Sequence, residues 1–383
     1  MIPACVLRIK SNHIKTKNNM KKILLICTQS NQICGFRKSL IETLQANDFC
    51  VSAIAFDDRE RLQIEKMGVN FFCINGANRS LNPFKMLSLK KKYLGVIRQV
   101  EPDIVFTFML KPNVFGVKAA KKAGVKNIYS MVEGAGDVFI NNTLKWRLVR
   151  TLVCKMYRSS FKYVRKVFFL NTDDKKEFLT RKLVKEQQCG IIKGIGVDLE
   201  HFDQKPIKND RTFLMIARML TTKGVMEYCQ AARLVKQKYP DVVFNYLGAE
   251  GTVKLVDIQE YIDEGSICYL GTTKDVRPYL EACTAFILPS FYREGLPMSI
   301  MEAESVGRPI ITTDNVGCRD TVVDGYNGFL IEKNNVQQLV EKIEEIINNI
   351  PRTMEMGKNS RLFAEEHFDQ KSINKQILSI IDF

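Results

Sequence analysis

The densest group of chemistry-bearing residues runs from Leu288 to Pro309, LPSFYREGLPMSIMEAESVGRP. An apolar run ends at Ser290, a loop carries Glu294 and Gly295, and Pro297 stands where a helix would begin. At the first helical position proline's missing N–H costs nothing. A strand–loop–helix of this kind turns unpaired backbone N–H groups past the strand end, which makes an anion site. Glu302 falls in the second turn of that helix. A second cluster, Met215-Ile-Ala-Arg218-Met-Leu-Thr-Thr-Lys223-Gly224, follows another apolar run. Two cations on one strand-to-helix loop can grip a diphosphate, and Gly224 lets the backbone come close. A third cluster, Leu270-Gly271-Thr-Thr-Lys274-Asp-Val-Arg277, has the composition of a turn before a helix. Taken singly, each also reads as an ordinary solvated loop; the long string from Leu288 is the hardest to read that way.

These clusters need a scaffold that places loops together. The chain has 383 residues, which sets an expectation of two domains. Apolar runs at Ile23–Cys27, Val51–Phe56, Val69–Ile74, Ile104–Phe108, Asn127–Met131, Val167–Leu170 and Ile191–Ile195 read as strands. After a polar stretch, Asp203–Arg211, the pattern restarts at Thr212–Ala217, Val242–Leu247, Ser266–Leu270, Thr284–Leu288 and Pro309–Thr313. Helical spacing fills the intervals, for example Gly35–Ala46, Asn113–Ala123 and Pro297–Val306. Short continuous apolar runs mark parallel strands buried on both faces. Two such arrays predict an α/β protein of two doubly wound domains, with ligands outside the carboxyl ends of the strands and therefore in the cleft. Residues 1–19 are polar, basic and aperiodic and are expected to be a disordered extension. Residues 20–203 and 204–360 are the expected domains, and 361–383 a helix expected to return to the first.

The net charge of +15 is uneven. Residues 1–190 hold 35 Lys+Arg against 14 Asp+Glu, and the remainder 22 against 28. A basic half attracts nucleic acid, anionic lipid or phosphorylated substrates. No nucleic-acid module accompanies the charge. Eleven Cys without a Cys-x-x-Cys pair do not form a disulfide framework or a zinc site, and three His do not suggest a metal centre. The turn after the first strand lacks a Gly-x-Gly-x-x-Gly fingerprint, which argues against dinucleotide binding. Between Lys145 and Lys166 stand eight cations and no acid, interleaved with a stripe at Val149, Leu152, Val153, Met156 and Tyr157. That is the composition of an interfacial helix, with Lys145, Trp146, Arg147 and Arg150 at its membrane or acceptor side. A solvated basic face on a core helix is the alternative.

The string Glu294-Gly295-Leu296-Pro297 with Glu302, continued by Pro309–Asp314, Gly317 and Asp324-Gly325-Tyr-Asn327-Gly328, resembles the signature of the family-four retaining nucleotide-sugar glycosyltransferases. The resemblance covers the chain from about Met20 to its end. It implies the GT-B fold, two Rossmann-like domains facing a cleft. It implies that Glu294 faces the donor sugar, that the Gly295, Leu296, Pro297 and Met298 backbone approaches sugar and diphosphate, and that Glu302 accepts the ribose hydroxyls, as an ionised carboxylate does well. Arg218 and Lys223 would neutralise the donor pyrophosphate and stabilise the leaving diphosphate without a metal. The turn at Gly271 would face the base. No Asp-x-Asp occurs, in keeping with metal independence. The implied reaction moves a hexosyl or N-acetylhexosaminyl group, with retention, from a UDP-linked sugar to a saccharide on polyprenyl diphosphate, at the cytoplasmic face of a bacterial membrane. No cofactor is implied; the nucleotide sugar is a substrate. Many members carry a His in the first domain, where this chain has Glu133-Gly134. Glu133 is a candidate to orient the acceptor hydroxyl or act as its base, or else is a plain strand-end carboxylate. A nucleotide-sugar epimerase of the same fold, or a non-catalytic membrane scaffold, remain the rival readings.

Overall fold

The computed structural model describes residues 20–74, 83–140, 143–208 and 210–381. The extension expected at 1–19 lies outside the described residues. The first sheet is built from β1 (Lys21–Ile26), β2 (Phe49–Ala55), β3 (Asn70–Cys73), β4 (Ile104–Phe108), β5 (Asn127–Val132), β6 (Lys166–Phe169) and β7 (Cys189–Ile191). The second is built from β8 (Thr212–Ile216), β9 (Val243–Leu247), β10 (Cys268–Tyr269), β11 (Ala285–Leu288), β12 (Ile310–Thr313) and β13 (Gly328–Ile331). Their orders are β3-β2-β1-β4-β5-β6-β7 and β10-β9-β8-β11-β12-β13. Every pairing within the two sheets is parallel, with registers such as Ile23↔Val51, Ile23↔Ile104 and Phe286↔Ile310.

The apolar runs form these strands because both faces are covered. Ile23 and Leu25 enter one core cluster and Leu24 and Ile26 another, on the opposite side of the same sheet. Ladder bonds and two-sided burial then favour the same conformation. In each sheet the strand order reverses beside the first strand, between β1 and β4 and between β8 and β11. Loops leaving such a pair diverge to opposite faces and open a crevice.

Several elements differ from the expectation. The helix expected over Gly35–Ala46 is two, Ser30–Cys34 and Lys38–Ala46, broken where Arg37 turns inward. Asn113–Ala123 is a wide turn, Pro112–Gly116, followed by the helix Val117–Lys122. The buried Asn113 amide donates to Met131 O at 2.8 Å and its carbonyl accepts from Thr107, which sets that turn. The run Ile191–Ile195 pairs only to Ile191, and β13 was not expected as a strand.

The helix Ile350–His367 stays with the second sheet; Met356 joins that core. The boundary expected at 361 falls inside this helix. The chain crosses at Phe368, where Val197 and Asp369 pair, and the helix Gln370–Ile381 lies on the first domain. Ile373, Ile377 and Ile381, one face of that helix, enter the cluster with Leu40 and Leu44. Arg308, fully buried, holds the linker by donating to Lys205 O at 2.8 Å and Cys283 O at 3.1 Å.

Candidate active site

The loop after β8 carries Arg218 and Lys223, and the loop after β11 carries Glu294. The strands are neighbours at the reversal point of the second sheet, so the loops meet. Lys223 Nζ donates to Glu294 Oε1. Ser290 Oγ donates to the same oxygen at 3.0 Å. The Phe291 and Tyr292 N–H groups both donate to Thr222 O at 2.9 Å, which straps one loop over the other. Lys223 Nζ also lies 5.8 Å from the Tyr292 ring centroid. Gly224 makes the approach possible. Its φ is +78°, and a Cβ there would lie 2.2 Å from Pro289 O.

Glu302 is on the helix Met298–Ser305, half-buried, and no hydrogen bond or ion pair reaches its carboxyl among the described residues. Burial without compensation pushes it up to about 7. Glu304, two residues on, is fully buried and accepts from Asn327 Nδ2 at 2.7 Å. Burial lifts it well above the carboxylate range, so it is a structural hydrogen-bonding acid. Pro297 is the N-cap rather than the first helical residue, because the helix starts at Met298. The Leu296 side chain packs with Val197, Met301, Ala364 and Phe368, so only its backbone can face a ligand. Arg218 is exposed and has no side-chain partner among the described residues. Gly271 lies on the loop after β10, where its carbonyl accepts from Gly248 N at 2.8 Å.

The first domain closes the site from above. A cavity of about 250 Å³ lies between Met109, Glu133, Gly136 and Phe139 on one side and Arg293 and Glu294 on the other. Glu133 pairs with Arg37, whose guanidinium is 2% exposed and sits 4.2 Å over the Phe108 ring centroid. Burial pulls Arg37 down to about 10, still cationic at neutral pH. Among the described residues no group of three His, Cys, Asp or Glu side chains is placed to hold a metal.

Sequence reasoning missed four residues here: Arg37, Asn171, Asp174 and Arg293. Asn171 caps a helix, accepting from Asp174 N, and its second set of partners lies in the other domain.

The basic helix is Leu144–Phe161. It buries Val153, Tyr157 and Phe161 and leaves Leu144, Leu148 and Leu152 at 73%, 66% and 51% exposure. The expected stripe is therefore rotated: Leu152 faces out, not in. Lys145 and Arg147 are exposed beside the leucines. Trp146 is half-buried. Arg150 is half-buried and donates to Val138 O at 2.9 Å. A groove of about 580 Å³ beside this helix is lined by Arg147, Arg150, Lys155, Arg158 and Arg181, with Glu177. No helix among the described residues is long and apolar enough to cross a membrane.

Residues 197–363 match the family model of glycosyl transferases group 1. The chain is 29% identical over 369 residues to the Campylobacter jejuni N,N'-diacetylbacillosaminyl-diphospho-undecaprenol alpha-1,3-N-acetylgalactosaminyltransferase, across 91% of this chain and 95% of that one. This chain is a glycosyltransferase. The enzyme is also 26% identical over 310 residues to the Escherichia coli UDP-Gal:alpha-D-GlcNAc-diphosphoundecaprenol alpha-1,3-galactosyltransferase, across 76% of this chain and 78% of that one. Its fold matches that of Anabaena HepE in complex with UDP-glucose, with a TM-score of 0.77 at 18% identity over 94% of this chain and 99% of that one. The fold is GT-B, as the signature implied. The family match includes Arg218, Lys223, Glu294 and Glu302, and β8–β13 lie within it.

Proposed function

We propose that the enzyme moves a hexosyl or N-acetylhexosaminyl group from a UDP-linked sugar, with retention and without a metal, to a saccharide on polyprenyl diphosphate at an anionic membrane surface. The observation that carries this reading is the Lys223–Glu294 pair at the reversal point of the second sheet, with the unpartnered Glu302 on the next helix. Each element of a nucleotide sugar has a chemically matched group there. Glu302 accepts the ribose hydroxyls, which supplies the donors its carboxyl lacks. Lys223 and Arg218 take the diphosphate, helped by the first-turn N–H groups of the helix that Pro297 caps. Glu294 faces the sugar. The base lies toward Gly271.

The diphosphate gains charge as the bond from the sugar to its oxygen breaks. Lys223 and Arg218 stabilise that charge at the place it develops. The acceptor oxygen attacks the same face, and its proton passes to the departing phosphate oxygen. No protein nucleophile is needed. Glu133, fixed by Arg37, orients the acceptor in the cavity it lines.

The acceptor class is supported by the two bacterial relatives, whose names specify undecaprenyl diphosphate sugars. The membrane side is supported by the exposed row Leu144, Leu148 and Leu152 with Lys145 and Arg147 beside it. The basic groove next to that row is suited to anionic headgroups.

The test is release of nucleoside diphosphate across a panel of donors, with and without lipid-linked acceptor. Release that requires the acceptor supports the reading and names the sugar. Release of an epimerised sugar nucleotide without acceptor would replace transfer by epimerisation. Addition of a chelator should leave the rate unchanged; a loss restored by Mg²⁺ would end the claim of metal independence.

A further inference from the structure

The helix Thr172–Thr180 belongs to the first domain, yet its cap reaches the second. Asn171 Nδ2 donates to Gly295 O at 2.9 Å and to Glu294 O at 3.2 Å. Asp174, with no exposed side-chain surface, accepts from Arg293 Nε at 2.7 Å, from Asn171 Nδ2 at 3.2 Å and from Ala135 N at 3.1 Å. Arg293 Nη1 also lies 4.0 Å from Glu177. The backbones themselves touch: a Cβ on Gly295 would lie 2.3 Å from Glu133 O. Farther out, Arg319 stands 3.2 Å from Asp314 in its own domain and 4.0 Å from Asp173 in the other.

We propose that Asn171 and Asp174 are positioning residues that latch the first domain onto the Arg293–Gly295 loop and thereby fix the backbone of Glu294. This rests on Glu294 facing the donor sugar. Lys223 and Ser290, from the second domain, hold the Glu294 carboxyl. Asn171, from the first, holds its peptide carbonyl. The residue is therefore fully placed only when both domains contribute. Displacement of a reacting geometry by about 1 Å costs on the order of 100-fold in rate, so the peptide contact matters. The chemistry of the contact also suits a joint that opens. Each bond in it can be exchanged for water, whereas an apolar seam would resist separation. Asp174 with its three donors is satisfied when closed, which makes the closed state specific rather than sticky.

The test compares wild type with Asp174→Asn, Asn171→Ala, Arg293→Ala and the Asp174→Asn/Arg293→Ala double variant. Transfer kinetics, UDP affinity, thermal midpoint and the radius of gyration by small-angle scattering are measured for each. The latch predicts kcat lower by about 10- to 100-fold, UDP affinity within about 2-fold, and a larger radius of gyration. The double variant should be no slower than the slower single variant, because both break one unit. Arg293→Ala approaches the contact from the other domain, so it decides the matter if Asp174→Asn does not fold. Unchanged kcat, UDP affinity falling in step with kcat, or additive losses would overturn the proposal. If wild type transfers to no acceptor, the substrate reading fails instead; scattering still decides the latch, and an unchanged radius in all variants overturns it.

Discussion

Glu294 and Glu302 stand eight residues apart in the chain and in opposite electrostatic settings. Glu294 is held by an ammonium and a hydroxyl, while Glu302 is half-buried with no donor. Their roles separate accordingly. Lys223→Ala should lower kcat/KM by about 100-fold or more, because it removes the nearest cation from the leaving diphosphate. Arg218→Ala should act in the same direction and weaken UDP binding, with a smaller loss because Arg218 is exposed, where solvent screens its charge. Full activity of either variant in steady-state assays would refute the donor-site assignment. Glu302 makes a second, independent prediction. In the unfolded chain its carboxyl ionises at the ordinary value near 4.5, whereas in the fold it keeps its proton to about 7. The folded state therefore binds the extra proton between those values, and this group lowers stability as pH rises through that window. Glu302→Gln should raise the thermal midpoint of the unliganded enzyme at about pH 8 and change it little at about pH 4, while weakening UDP binding. Equal shifts at both pH values would show that ionisation is not the cause.

At the scale of elements, the helix Leu144–Phe161 has two faces with different partners. Val153, Tyr157 and Phe161 belong to the first domain's core. The row Leu144, Leu148 and Leu152 has no core to enter. Replacing Lys145 and Arg147 by Ala should weaken partition onto anionic vesicles by about 30-fold, and Leu148→Glu should weaken it further. Unchanged pelleting would remove this face from the membrane. The helix was legible from its spacing, but the direction of its stripe was not, because Leu152 and Val153 are adjacent and periodicity alone does not say which is inside. Most strands were legible for a firmer reason: a short continuous apolar run buried on both faces has few other solutions. β13, only four residues long after the Asp324–Asn327 turn, gave too short a signal. The break at Arg37 was missed because a basic residue turning inward has no pattern until its partners, Glu133 and the Phe108 ring, are in place.

At the scale of the whole molecule, the charge split acquires a geometry. Arg147, Arg150, Lys155, Arg158 and Arg181 of the first half line a groove beside the exposed leucines. The acidic second half keeps local cations, Arg218 and Lys223, for the diphosphate. Lys223 and Glu294 were legible as candidates from their strand–loop–helix settings. That their side chains meet follows from β8 lying beside β11, an order no one-dimensional pattern carries. The same limit hid Asn171 and Asp174, which bond to Gly295 and Arg293 in the other domain. The central claim is transfer of a sugar from a nucleotide to a lipid carrier. It is tested most directly by incubating the enzyme with radiolabelled UDP-sugars and an undecaprenyl-diphosphate-linked saccharide, then counting label in the organic phase. The account predicts label in the lipid for one donor, dependent on Lys223; label that stays in the aqueous phase for every donor would contradict it.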